Sequence, residues 1–176
     1  MGNVNLYYDE MDSPIGILSL IGNGEKLVRI EFGGMDVRSE QMSKWITRYF
    51  GDVTFIHAPD QVELAKKELA AYFNDHNQKF TFKFEFHGTP FQQEVWQALF
   101  DTIPYGETKS YKDIAVTVGN PKAVRAVGGA VNKNPFSIIV PCHRVIGANG
   151  QMVGYNGGLD KKEYLLMHEK KVVEIL

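Results

Sequence analysis

A single cysteine, Cys142, stands in a chain of 176 residues. That scarcity excludes an intramolecular disulfide and a CxxC redox pair, and it leaves too few thiols for a cysteine-rich zinc site. Long apolar runs are missing too. None approaches the roughly 20 residues of a membrane span, and Met1 to Asp12 lacks the basic-then-apolar order of a signal peptide, so no membrane is implied. An unprotected thiol suits a reducing compartment, and a cytoplasmic location is expected. Excess charge of either sign is also absent. Nineteen Lys and Arg stand against 21 Asp and Glu, net −2, which by itself argues against a polyanionic partner. What remains is ordinary for a folded protein: 44% hydrophobic and 12% aromatic residues, enough for the cores of one or two small domains.

The charge balance hides an asymmetry. Residues 1–86 hold 9 basic and 13 acidic side chains, whereas residues 87–176 hold 10 and 8. Within 105–150, six basic residues (Lys109, Lys112, Lys122, Arg125, Lys133, Arg144) meet only two acidic ones, Glu107 and Asp113. A block of that kind suits nucleic acid, and it equally suits a plain solvated face.

Residues 4–9, 15–21 and 26–32 read as short strands, separated by Ser13-Pro14 and by the turn signal Gly22-Asn23-Gly24. Met42, Trp45, Ile46 and Tyr49 recur at helical spacing, which predicts a helix over 37–50, and Val62, Ala65, Leu69, Tyr72 and Phe73 predict another over 60–75. Lys79 to Phe86 alternates without fault, Phe80, Phe82, Phe84 and Phe86 on one face, and reads as a half-buried strand. His57 and His76 are isolated and read as structural or surface residues. This half is a small α/β unit with no visible chemistry.

The character changes near 87–89. Thr89, Pro90 and Gln92 have the order of an N-cap, a first helical residue and a capping-box partner, opening a helix to about Phe100. Ser110 and Asp113 repeat that signature for a helix starting at Tyr111, which Gly119 can end in a left-handed conformation. Asn120 and Pro121 then predict a second helix over 121–131, so 110–131 reads as a helix-turn-helix. Apart from Lys122 and Arg125 that second helix is small or apolar. Gly128-Gly129 gives up about 1 kcal/mol of helix propensity per residue against Ala. Such smallness implies close approach, either by another helix of the same protein or by a DNA groove. A final helix, 160–170, carries Tyr164, Leu165 and His168 on its apolar side and ends with Glu169.

Between these helices lies Asn134-Pro135-Phe136-Ser137-Ile138-Ile139-Val140-Pro141-Cys142-His143-Arg144-Val145. The β-branched run before Pro141 places the thiol where a strand ends. A neighbouring imidazole and guanidinium are groups that lower a thiol pKa. The alternative is a cysteine that merely fills core space. Gly150, Gly154, Gly157 and Gly158 form a glycine-rich loop without the spacing of a nucleotide loop.

Together, Ser110-Tyr111, Gly119-Asn120-Pro121-Lys122, Arg125-Ala126-Val127-Gly128-Gly129-Ala130, Asn134-Pro135, Pro141-Cys142-His143-Arg144-Val145, Gly157-Gly158-Leu159 and Leu165-Leu166-Met167-His168-Glu169 resemble the 6-O-alkylguanine-DNA alkyltransferases, or methylated-DNA–protein-cysteine methyltransferases. The resemblance covers about 90–170 motif by motif, and the N-terminal half in general arrangement. It implies an α/β N-terminal domain over 1–87, a small antiparallel sheet with helices, ribonuclease H-like. It implies a mostly α, winged helix-turn-helix-like DNA-binding and alkyl-transfer domain over 88–176.

The activity so implied is direct reversal of DNA damage. Cys142 would take the alkyl group from 6-O-alkylguanine, and from 4-O-alkylthymine, in one irreversible turnover, with the base flipped out of the duplex. By the family's motif His143 would act as base through a water, oriented by Glu169. Tyr111 would position a phosphate and give a proton to the leaving base, and Asn134 would hold the bend before the active-site strand. Arg125 would fill the vacated stack, and Ala126 and Gly128 would let their helix lie in the minor groove. Val145, Tyr155, Asn156 and Gly157 would surround the flipped base, with Arg144 also counted among the substrate and DNA contacts. Asn156 stands where some relatives have Ser. No cofactor, no metal and no obligate protein partner are implied, and a monomer is expected. The rival reading is a helix-turn-helix damage sensor whose Cys142 is structural; His143 and Glu169 are what such a module would not need.

Overall fold

The structure, a computed structural model, describes residues 3–150, 155 and 157–175, with the backbone alone for 171–175. The chain folds as two compact units, Met1–His87 and Gly88–Leu176.

In the first unit, β1 (Val4–Met11), β2 (Leu18–Gly22) and β3 (Leu27–Phe32) form an antiparallel meander. Its second turn is built by Asn23, whose Oδ1 accepts from the backbone N–H groups of Glu25 and Lys26, with Gly24 at φ +102°. The helix α1 (Glu40–Phe50) is capped by the Ser39 side chain and carries the chain to the far edge of the sheet. There β4 (Val53–His57) pairs parallel with β1, from Val4↔Val53 to Tyr8↔His57, so the sheet is mixed, in the order β3-β2-β1-β4. Five residues on an edge carry too little alternation to be read as a strand from sequence. Leu6, Ile21 and Val28 of the sheet close on Met42 and Ile46 of α1 to make the core. A second helix, α2 (Glu63–Asp75), buries Ala65, Leu69, Tyr72 and Phe73 and ends on His76 in the left-handed conformation, φ 57°. His57 is not isolated either: it meets the buried Asp9 at 2.8 Å, and Lys66 bonds the same carboxylate.

Residues 79–86 are not a strand. The segment is extended, and Phe80, Phe82, Phe84 and Phe86 do follow one another along one side, ring to ring at 5.6–6.2 Å. Only one bridge, Leu27↔Phe84, ties it to the sheet. The backbone N–H groups of Thr81 and Phe82 go instead to the Glu68 carboxylate of α2, so no ladder propagates.

The second unit opens with α3 (Pro90–Thr102), whose capping box of Thr89 and Gln92 is complete. Gly88 is required just before it, because a Cβ there would lie 2.5 Å from the Trp96 ring. Trp96 in turn donates its indole N–H to Ala130 O at 2.8 Å, joining α3 to α5 (Val124–Asn132). The helix α4 (Tyr111–Thr117) starts with the Ser110–Asp113 capping box, and Gly119 follows at φ +81°. Its partner α5 begins three residues later than expected. Asn120 does not cap it: Asn120 O accepts from Ala123 N in a turn that holds Pro121, and the helix starts at Val124 without a side-chain cap.

No strand leads into Cys142. Residues 134–145 are buried without a break, yet they run as turns, because the Asn134 side chain claims Phe136 N–H, Phe136 O and Val140 O. Ile138 is left-handed at φ 77°, and Cys142–Arg144 is a 3-10 turn. Only then does β6 (Val145–Ile146) pair, in parallel, with β5 (Lys109–Ser110). The final helix, α6 (Leu159–Ile175), runs past Glu169, and its inward face is Lys162, Leu165 and Glu169. Tyr164 is exposed. Among the described residues no helix is long and apolar enough to cross a membrane.

Candidate active site

The β5–β6 pairing assembles the site. The register Lys109↔Val145 and Ser110↔Ile146 sets the first residue of α4, Tyr111, beside the turn that carries Cys142, His143 and Arg144. The helix α6 closes it from another side with Lys162 and Glu169. Three separate stretches of the chain, 109–111, 142–146 and 162–169, therefore converge on one thiol.

Cys142 is 6% exposed. Burial pushes its thiol up from the usual value, opposed by the polar side chains of Asn134 and Tyr155 beside it and by the nearby Lys162 charge. Tyr155 is placed by its carbonyl, which accepts from Gly158 N at 2.9 Å, while Gly158 O accepts from Lys162 N in the first turn of α6. Tyr111 is also pushed up, first by burial and then by its proximity to Cys142, so it keeps its proton at neutral pH.

His143 has no exposed surface. Its Nε2 lies 2.7 Å from Glu169 Oε2. Burial holds the imidazole below its ordinary value, against the pull of Glu169, and the charges of Arg144 and Lys162 add to the lowering. Burial by itself would raise Glu169. The charge and hydrogen bond of His143, then those of Arg144, overcome it and hold the carboxyl well below the usual carboxylate range. An ionised carboxylate only accepts, so the hydrogen lies on Nε2, and Nδ1 of the neutral ring carries the lone pair. That Nδ1 is buried and meets no hydrogen-bonding partner among the described residues.

Arg144 is not where the sequence suggested. It is buried, and it grips Glu169 with two parallel bonds, Nε to Oε1 at 2.7 Å and Nη2 to Oε2 at 3.0 Å. Its Nη1 donates to Ile103 O at 2.7 Å, and its guanidinium lies 5.7 Å from the Tyr105 ring. Burial, with Glu169 beside it, pushes the Tyr105 hydroxyl up to about 12. Gly106 N donates to Glu169 Oε1 at 3.3 Å. Arg144 is therefore buried inside the site, bound to the same carboxylate that holds His143.

On α5 the buried face is Val127, Ala130 and Val131, while Arg125, Ala126 and Gly129 are exposed. A Cβ on Gly129 would meet nothing within 4 Å, and one on Gly128 would only touch the Tyr111 ring at 3.9 Å. Internal packing does not demand the small residues; the open face carries Ala126 and Gly129, and Gly128 is half-buried against the Tyr111 ring. Of the other basic residues, Lys122 and Lys133 are exposed, and Lys112 donates to Pro121 O at 2.9 Å. Val145 is buried and Gly157 half-buried, whereas Asn156 lies outside the described residues.

Lys162 and Tyr105 were not anticipated. A lysine on a polar-looking helix and a tyrosine in a loop carry no sequence signal of burial, and only the placement of α6 reveals them. Among the described residues no cluster of three or more His, Cys, Asp or Glu side chains could hold a metal ion.

Comparison with known proteins separates the same two parts of the chain. Residues 6–86 match the model of the 6-O-methylguanine DNA methyltransferase, ribonuclease-like domain, and residues 90–171 that of the 6-O-methylguanine DNA methyltransferase, DNA binding domain. A methylated-DNA–protein-cysteine methyltransferase of Methanosarcina barkeri is 44% identical over 167 residues, 94% of this chain and 98% of that one. Its namesake from Mycobacterium leprae is 46% identical over 163 residues, 93% of this chain and 92% of that one. The crystal structure of Mycobacterium tuberculosis OGT in complex with DNA superposes with a TM-score of 0.78 at 42% identity, covering 96% of this chain and 94% of that one.

Proposed function

The chain belongs to the 6-O-methylguanine DNA methyltransferase family, and on that footing we propose that it repairs alkylated DNA by carrying the alkyl group onto Cys142. The relatives are named for transfer of a methyl group from DNA to a cysteine of the protein, and this chain has a single cysteine to offer. The observation that carries the assignment is the buried thiol next to a histidine whose Nε2 is fixed on Glu169.

The chemistry follows from the protonation states. Burial keeps the resting thiol protonated, so its proton leaves as the sulfur prepares to attack. The acceptor is the lone pair on His143 Nδ1, reached through one water, and Glu169 stabilises the imidazolium that forms. The thiolate attacks the alkyl carbon on the guanine 6-oxygen. A C–S bond forms, the C–O bond breaks, and its electron pair stays on the base. Tyr111, still protonated, supplies the proton that completes a neutral guanine. Imidazolium and phenolate then return to neutrality through solvent. The product thioether has no easy hydrolytic exit, so each molecule acts once.

Reaching that carbon requires the base to leave the stack. The open face of α5 suits the minor groove: Ala126 and Gly129 permit close approach, and Arg125 projects from the same helix to fill the gap in the duplex. Val145 and Tyr155, next to the thiol, would wall the flipped base. A face with so few long polar side chains reads shape and phosphates more than base edges, so little sequence preference is expected.

Intact-protein mass after mixing with a duplex bearing 6-O-methylguanine tests the assignment. A gain of one methylene, mapped to Cys142 and absent in Cys142→Ala, is expected. Unchanged mass with retained DNA binding would overturn it and leave a damage-binding module.

A further inference from the structure

The loop between α3 and β5 touches both members of the Arg144–Glu169 pair. Its Ile103 carbonyl accepts from Arg144 Nη1 at 2.7 Å, and its Gly106 N–H donates to Glu169 Oε1 at 3.3 Å. Between those two contacts the Arg144 guanidinium lies over the Tyr105 ring, 5.7 Å from its centre. The sequence builds this cradle locally. Glu107 N donates to Pro104 O at 3.1 Å and Gly106 is left-handed at φ 84°, a tight turn that favours glycine at its third position.

Glu169 in turn holds His143. Its Oε2 takes His143 Nε2 at 2.7 Å and Arg144 Nη2 at 3.0 Å, while its Oε1 takes Arg144 Nε and Gly106 N. The carboxylate is thus oriented by the guanidinium, and the guanidinium by what lies around it. Along its edges it meets Glu169 and Ile103 O; on a face it meets Tyr105. A ring face attracts a cation through its quadrupole, most strongly away from water, and Arg144 and Glu169 are both buried. Burial, then Glu169, pushes the Tyr105 hydroxyl up to about 12, so the ring stays neutral beside the carboxylate.

We propose that Tyr105 is a positioning residue for the transfer: its ring holds the Arg144 guanidinium in register with Glu169, and through that carboxylate it keeps His143 aimed for the thiol proton. It never touches the alkyl group. The proposal rests on Cys142 being the acceptor and His143 its base.

Two variants separate the ring from its bulk. Tyr105→Phe keeps the ring face, and Tyr105→Leu keeps apolar bulk without it. The rate of methyl transfer to Cys142 from a duplex bearing 6-O-methylguanine, followed by protein mass, should fall about tenfold in the Leu variant, the factor a desolvated cation–π contact supplies. The conservative Phe variant should rescue it. In a Glu169→Gln background the Leu change should add little, because the ring acts through that carboxylate. A folded Leu variant with the unmutated rate would overturn the proposal. So would a Phe variant as slow as Leu, or a Leu effect of equal size in both backgrounds, which is what a merely structural tyrosine would give.

The hydrogen on His143 Nε2 gives a second readout that needs no DNA. Followed by NMR, it should stay protected from exchange with water in the unmutated chain and the Phe variant, and exchange faster in the Leu variant. Should the Leu variant fail to fold, ring-fluorinated phenylalanines at position 105 draw charge from the ring face at nearly unchanged size. Transfer should slow as fluorine is added, and a flat series would overturn the proposal. If the unmutated chain gains no mass from the methylated duplex, the alkyl-transfer reading fails by itself, and the His143 hydrogen still decides whether Tyr105 holds the pair.

Discussion

Asn134 does the work that a strand was expected to do. Its amide satisfies three backbone groups of the loop before Cys142 and also lies beside the thiol. Asn134→Ala removes three buried hydrogen bonds from the loop and should cost about 3 kcal/mol of stability, read by urea unfolding. It should also slow alkyl transfer, because the thiol loses its fixed position. Arg144 makes the complementary point. Its paired bonds to Glu169 need a planar fork, which lysine lacks. Arg144→Lys should therefore destabilise the protein by about 2 kcal/mol, yet leave the duplex affinity of a Cys142→Ala background unchanged. A clear loss of affinity would return Arg144 to the DNA surface. The resemblance already implied a bend held by Asn134, whereas the inward turn of Arg144 was hidden, since a motif arginine looks the same whether buried or exposed.

At the scale of elements, α4 and α5 differ in how much of them was written locally. The start of α4 is set by the Ser110–Asp113 pair, and the structure forms both of its bonds. Ser110→Ala should cost about 1 kcal/mol, measurable by thermal melting. The limits of α5 depend on a turn around Pro121 that competes with the helix, and this competition was not legible. Its glycines give a sharper test. Gly129 faces open space, so Gly129→Ala should stabilise the free protein by up to about 1 kcal/mol through helix propensity. Gly129→Leu should fold equally well and still lose duplex affinity, because the longer side chain holds α5 off the groove. Equal DNA binding by the Leu variant would remove α5 from the interface. The 79–86 segment teaches the reverse lesson: its phenylalanine alternation was genuine, but Glu68 diverts the amides that a ladder would need.

For the molecule as a whole, the buried ionisable groups set the dependence on acid. Asp9 in the first unit and His143 and Glu169 in the second all hold protons less tightly folded than unfolded. For Asp9, burial is outweighed by its bonds to Lys66 and His57. The unfolded chain therefore gains protons first as pH falls, and stability must fall with it. The loss should begin near the unfolded histidine value, about pH 6.5, and steepen below about pH 5 as unfolded carboxylates protonate. Melting temperatures between pH 7 and pH 4 check this. Glu169→Gln should flatten the lower part of the curve, and an unaltered slope would show that the carboxylate is not held down by its partners.

The sequence alone determined the chemistry available and much of the local structure. A lone cysteine followed by histidine and arginine, two capping boxes, a left-handed glycine and the apolar spacing of the helices are all local signals, and local signals survive in one dimension. The tertiary structure decided which groups meet. Whether Glu169 faces His143, whether Arg144 points inward and whether Lys162 is buried depend on how α6 lies against a turn some 20 residues earlier. Such contacts are set by packing, and the charges they bury fix the protonation of the thiol.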